Sequence, residues 1–223
     1  MKIKDLIMFL LLSTFVVNAQ GYEPTTKWPY LYNDFNKGTV YFADNSKTTA
    51  SVNIHLMGSL LHYEKDGLIY HIDNQKLTGV EIGDDKFVPL DGKLVKIIAK
   101  MGNNYLAKLT TGDFDALMTS SGAYGMSSTS SSVNKLNSID IGGISNLNYR
   151  LMVDEKQEGR ILPLKVSYLL FVDGKTIPAV KAEIEKQLSG DQKAEFKTFI
   201  KDNKIKFNKE ESLMELLRFF QKK

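Results

Sequence analysis

The residues of this 223-residue chain best placed for chemistry are its three histidines, because turn signals bring His55, His62 and His71 together. Asp66-Gly67 is a favoured two-residue hairpin loop, since such a turn needs positive φ at both positions. It sets His62 opposite His71 and Tyr63 opposite Tyr70. Reading Gly58-Ser59 as a second two-residue loop sets His55 opposite His62 and Leu56 opposite Leu61. The histidines then form a ladder over three neighbouring strands, with directly opposed Cβ atoms about 4.5–5.5 Å apart. Such a ladder suits Zn²⁺ with an open fourth position, where bound water is acidified toward neutrality. Glu64 and Asp73 fall on the same face and would add carboxylate oxygens. The competing reading is a plain polar sheet face. Leu56, Leu61, Tyr63, Leu68, Tyr70 and Ile72 line the other face and read as the buried side, which turns the histidines to water. Strand twist of about 20–25° also splays them. The polar face is the expectation; a metal site on His55, His62 and His71, with hydrolysis as its chemistry, is the alternative.

Other chemistry finds no support in the sequence. Gly-x-Ser-x-Gly, His-Glu-x-x-His, the phosphate loop and a strand-linked Gly-x-Gly-x-x-Gly do not occur. With no cysteine, thiolate metal sites, thiol nucleophiles, disulfides and a lipid-modified cysteine are excluded. No catalytic residue and no cofactor is assigned. Two features suit recognition instead. Tyr22, Trp28, Tyr30, Tyr32, Phe35, Tyr41 and Phe42 crowd one segment and act as a binding platform or as rings laid across the sheet. Residues 119–135, rich in serine and glycine, read as a solvated loop between strands.

The elements that position these residues are short and β-type. Ala50, Val52, Ile54 and Leu56 alternate with Thr49, Ser51, Asn53 and His55, which puts one row on a core and the other toward water. Further runs cover 60–65, 68–73, 76–82, 87–90, 94–100 and 105–110, with turn pairs such as Asp66-Gly67 and Asp91-Gly92 between them. That spacing leaves no room for crossover helices, so an antiparallel meander is expected. Strands resume at 136–141, 147–153 and 164–172, and Asp173-Gly174 ends the last. The period then changes to 3.6. Ile177, Val180, Ile184 and Leu188 mark one helix, closed by Ser189-Gly190, and Phe196, Phe199 and Ile200 mark a second over 191–202. Asn208 with Glu211 three residues on reads as the cap of a third, ahead of Leu213, Leu216, Leu217 and Phe220.

The first nineteen residues speak to location. Lys2 and Lys4 precede a twelve-residue apolar run, 6–17, and Val17-Asn18-Ala19 follows. That order is a secretory signal peptide with cleavage expected after Ala19, and the run is shorter than the roughly 20 residues that span a bilayer. The remaining 204 residues carry 27 basic and 25 acidic side chains, net +2. So small and interspersed a charge excludes a nucleic-acid or polybasic membrane footprint.

Trp28-Pro29-Tyr30-Leu31 with Asp34-Phe35 and Gly38-Thr39-Val40-Tyr41-Phe42 resembles the opening of uncharacterised secreted proteins of the Bacteroidota type. The stretch from Asn53 to Tyr63 and the tail around Phe199-Ile200-Lys201 and Asn203-Lys204 are similar to that group as well. The resemblance implies an envelope protein with a β-rich body and helical tail, and carries no activity. The expected organisation is a signal peptide over 1–19, an antiparallel β domain over 20–175 and a helical tail over 176–223. The fold class is mainly β (α+β): a curved sheet, sandwich or partly open barrel followed by three short helices. The expected function is a soluble periplasmic or secreted binding module, without enzyme activity, whose partner is an envelope protein, a glycan or a lipid.

Overall fold

Alternating apolar and polar residues, cut by two-residue turns, fold the chain into a ten-stranded antiparallel sheet. The structure, a computed structural model, describes residues 30–113, 140–141, 144–145 and 162–221. The expected leader 1–19, Tyr22 and Trp28, the serine-rich stretch 119–135 and the strand over 147–153 lie outside the described residues. The strands are β1 (Asn36–Phe42), β2 (Lys47–His55), β3 (Leu60–Lys65), β4 (Leu68–Ile72), β5 (Leu77–Ile82), β6 (Asp85–Leu90), β7 (Lys93–Met101) and β8 (Asn104–Gly112). After them come β9 (Asp140–Ile141) and β10 (Ile144–Ser145), a separate two-stranded pair, then β11 (Leu164–Val172) and β12 (Lys175–Pro178). In space the large sheet runs β12-β11-β8-β7-β6-β5-β1-β2-β3-β4 and is not closed into a barrel. Three Asp-Gly turns do what the sequence predicts, with φ of 53° and 77° at Asp66-Gly67, 49° and 75° at Asp91-Gly92, and 51° and 78° at Asp173-Gly174.

One connection departs from a simple meander. After β4 the chain crosses over to pair β5 with β1. A 3-10 turn, Asn74–Lys76, makes the crossing, and Asp73 caps it by accepting from the Gln75 N–H at 2.9 Å. Buried Asn74 ties three loops together. Its Nδ2 donates to Ser59 O and Gly92 O, both at 2.9 Å, and its Oδ1 accepts from Leu61 N at 3.2 Å. Leu94 N donates to Ser59 O, while Ser59 Oγ donates to Leu94 O. These bonds bring the β2–β3 loop onto β7, so the first half of the sheet curls over itself.

The curl encloses Val40, Val52, Ile54, Leu61, Leu77, Val80, Ile82, Phe87 and Leu94. Cross-strand register puts these residues on one face of the sheet, which is the concave one. Gly38 lies on that face against Val52 and the backbone of β5. A Cβ there would lie 2.5 Å from Val52 Cγ2 and 2.8 Å from the Glu81 carbonyl oxygen. Gly38→Ala is therefore expected to cost about 2 kcal/mol, since the backbone of β5 must give way. Urea unfolding measures it, and a loss below about 0.5 kcal/mol would show that the sheet relaxes freely at this point.

The same sheet face continues through Leu106 and Leu170, and there the tail covers it. The helices are α1 (Lys181–Lys186), α2 (Gly190–Asp202), α3 (Glu210–Met214) and α4 (Leu216–Gln221). Ile184, Leu188, Phe196, Leu213, Leu216, Leu217, Phe219 and Phe220 pack with Leu106, Leu170, Val172 and Ile177 in one core. The tail is thus part of the body's packing. Three expectations need correction. Ile177 belongs to a strand rather than a helix, because the Asp173-Gly174 turn folds β12 back on β11 and Pro178 follows; Val180 is 48% exposed. Ser189 opens α2 rather than closing the helix before it, its N–H donating to Gln192 Oε1 at 3.0 Å. The third helix starts after Lys209, not Asn208, and divides at Glu215, whose carbonyl accepts from Arg218 N in a tightened turn.

Candidate functional site

The Asp66-Gly67 turn sets the register of β3 and β4, and His62 stands opposite His71 and Tyr63 opposite Tyr70, as expected. The β2–β3 connection differs. Leu56 through Ser59 form the turn, so His62 faces Asn53 and His55 faces Leu60. A shift of two residues keeps the same side chains on the same face. The histidines therefore still gather: the His55 and His62 rings stack at 5.0 Å and 19°, and His62 meets His71 edge-on at 6.0 Å and 82°.

Their surroundings are the reverse of those expected. His55 and His62 are fully buried rather than facing water. The cover is the strap of residues 30–35 ahead of β1. Tyr30 bridges to His55, bonds His62 Nδ1 through its hydroxyl at 3.0 Å, and lies 5.2 Å from the His55 ring and 5.6 Å from His62. Phe35 packs edge-on to Tyr30 at 5.0 Å. Asn53 holds the strap down. Its Nδ2 donates to Tyr32 O and Asp34 O, and its Oδ1 accepts from Tyr32 N. Tyr30 and Phe35 thus take the covering role among the aromatic residues singled out in the sequence.

This geometry favours a packed aromatic cluster over a metal centre. Imidazole lone pairs lie in the ring plane, so two nearly parallel stacked rings direct theirs side by side rather than to one point. Among the described residues no three histidine, aspartate or glutamate side chains are grouped to hold a metal ion. Glu64 and Asp73 are exposed, and Asp73 is turned to its own capping bond. Burial pushes the His55 imidazole down to about 3, so it is neutral at ordinary pH. Its Nδ1 accepts from Met57 N at 3.3 Å.

A second site comes from side-chain size. Along β2 the concave row runs Ile54, Val52, Ala50, Thr48, tapering from large to small, and the space left at the narrow end is a half-open cup of about 770 Å³. Phe42, Ala50, Tyr63 and Ile72, all half-buried and packed on the core of the curled half, make an apolar floor. Thr48, Thr49, Lys65 and Lys76 stand around it, with Glu64, His71 and Asp73 at the rim. Burial, with the neighbouring Tyr70, raises the Tyr63 phenol above its usual value, so it stays protonated. The sequence reading missed this cup; the taper of β2 was its only signal.

A polar row crosses the sheet beside a smaller cavity of about 180 Å³. Phe87, Lys96, Lys108 and Tyr168 are cross-strand neighbours on β6, β7, β8 and β11. Asp85 accepts from Lys96 Nζ and from the Tyr32 hydroxyl, each at 2.6 Å. Burial opposes ionisation of Asp85, but those two donors outweigh it and hold its carboxyl below the usual range. Glu210 accepts from Lys108 at 2.9 Å and from Tyr168 at 3.0 Å, and Lys108 chiefly lowers its carboxyl. Each lysine has its own carboxylate, so the row is neutral and joins strap, sheet and α3. No family model, curated protein or solved structure matches the chain. Among the described residues no helix is long and apolar enough to cross a membrane.

Proposed function

We propose that this chain is an exported, non-enzymatic binding module that takes a small amphiphile into the concave cup of its sheet. The observation that carries the reading is the cup itself, about 770 Å³ with Phe42, Ala50, Tyr63 and Ile72 as its floor. Ligand sites are concave, mostly apolar and furnished with a few polar groups, in volumes of about 300–1,000 Å³. Four half-buried apolar side chains at one point of a strand-built surface are also costly to leave in water at about 25 cal/mol per Å². Export is supported by the basic start, apolar run and Val17-Asn18-Ala19 of the leader, and by the resemblance to secreted proteins of the Bacteroidota type. A lipid-like ligand fits the floor better than a glycan, which needs more polar partners than this floor offers. The uncharged fluorophore N-phenyl-1-naphthylamine tests the reading. We expect saturable fluorescence enhancement with the protein lacking residues 1–19, and about tenfold weaker binding in Ala50→Trp, whose indole fills the cup. Unsaturable binding, or equal binding by an Ala50→Trp protein with an unchanged unfolding midpoint, would overturn it.

A further inference from the structure

We propose that the cup selects anionic amphiphiles, holding a carboxylate or similar head group between Lys65 and Lys76 while the apolar body lies on Phe42, Tyr63 and Ile72. This inference rests on the reading of the cup as an amphiphile site and adds the sign of the head group.

The argument is one of where the charges point. Four ionic side chains border the cup, Glu64, Lys65, Asp73 and Lys76, and by count they cancel. By placement they do not. Strand register puts Ala50, Val52 and Tyr63 on the concave face. Lys65, two residues beyond Tyr63 on β3, shares that face. Glu64 belongs to the opposite row with Ser51 and Ile69, so its carboxylate reaches the cup only at the edge. Asp73 keeps its charge but is held in the 3-10 turn, where its Oδ1 accepts from the Gln75 amide at 2.9 Å, and it pairs with neither lysine. Neither Lys65 nor Lys76 has an ion-pair partner among the described residues. Lys96 and Lys108, by contrast, are each matched to a carboxylate at 2.6 and 2.9 Å.

Two unmatched ammonium groups at the mouth of an apolar cavity produce a positive potential there. The low-dielectric floor strengthens it for a ligand that reaches in. Lys65 lies next to the β3–β4 turn and Lys76 ends the crossover turn, so they approach the cup from different elements. A single anionic head can thus accept from both, with the bonds strengthened by charge on each side. Thr48, on the concave row, supplies a hydroxyl donor for a remaining oxygen.

Displacement of N-phenyl-1-naphthylamine by three ten-carbon chains differing only in the head tests this: decanoate, decanol and decylammonium. Decanoate is expected to displace the probe at about tenfold lower concentration than decanol, and decylammonium at a higher one. In the Lys65→Gln/Lys76→Gln double variant the advantage of decanoate over decanol should vanish, with decanol itself unchanged. Equal potency of decanoate and decanol, or an advantage surviving in the double variant, overturns the anionic selection and leaves the amphiphile site standing. Tighter binding of decylammonium also overturns it, and shows that Glu64 and Asp73 govern the mouth. Failure of the uncharged probe to bind at all overturns the amphiphile reading and this inference with it.

Discussion

Replacing Asn53 with alanine is expected to lower the free energy of unfolding by about 3 kcal/mol, at roughly 1 kcal/mol for each of its three hydrogen bonds to the strap. The amide makes four bonds within 3.1 Å: Oδ1 with Tyr32 N and Ile54 N, and Nδ2 with Tyr32 O and Asp34 O. Asn53 is fully buried, so the strap groups left behind in Ala lose their partners under a cover that admits little water. The strap's other anchors include Tyr30 on His55 and His62, Leu31 N to Ile54 O at 2.9 Å and the Tyr32 hydroxyl on Asp85. Its detachment would expose His55 and His62. Urea unfolding gives the stability loss, and amide exchange at Leu31 and Tyr32 shows whether it is local. We expect those two amides to lose protection well before those of Val40 and Leu61. Stability within about 0.5 kcal/mol of the parent, with the strap amides still protected, would show that packing of Tyr30 alone holds the strap.

What could be read from the sequence divides along the range of the interactions involved. The β3–β4 register follows from Asp66-Gly67, two residues whose backbone preferences dictate the turn. The β2–β3 register does not follow from Gly58-Ser59, because the turn there is held from a distance. Ser59, at φ 53°, exchanges bonds with Leu94 on β7, and Leu56 and Met57 are drawn into the loop. Because side chains alternate with period two, that shift of two left the histidines on one face, and their proximity was still foreseeable. Their burial was not. A row of Asn53, His55 and His62 is polar by any pattern, and what makes it interior is Tyr30, 32 residues before His62 in the chain. The cup was equally hidden, since a taper from Ile54 to Thr48 becomes a cavity only when the sheet curls. Asn74, whose bonds to Ser59 and Gly92 stabilise the curl, reads in sequence as an ordinary turn residue.

Acid should destabilise this protein well before its carboxylates titrate. His55 takes up a proton near 6.5 when the chain is unfolded, but burial holds the folded value at about 3. Between those two values the unfolded chain binds the extra proton, so stability falls as pH falls. Above about 6.5 neither state is protonated and the full stability is present. On 1.36 kcal/mol per unit, the loss reaches about 2 kcal/mol at pH 5 and about 3 kcal/mol at pH 4. The groups around the ring give the charged form no compensation. Tyr30 faces it from the strap, with Phe35 packed behind Tyr30, and His62 stacks on it from β3, with His71 beyond on β4, and none of these is a carboxylate. Asp85 and Glu210, whose folded values are lowered, lose their contribution only as pH drops below their ordinary 3.8 and 4.5. A series of urea unfolding curves from pH 7 to 5 therefore stays clear of those carboxylates, and comparison with a variant singles out His55. His55→Asn keeps an acceptor within reach of Met57 N and removes the titration. We expect its stability to change with pH by about one proton less than the parent's across that window. A parent protein equally stable at pH 7 and 5, or a variant with the parent's slope, would mean that the strap opens at little cost and lets the imidazole protonate in the folded chain.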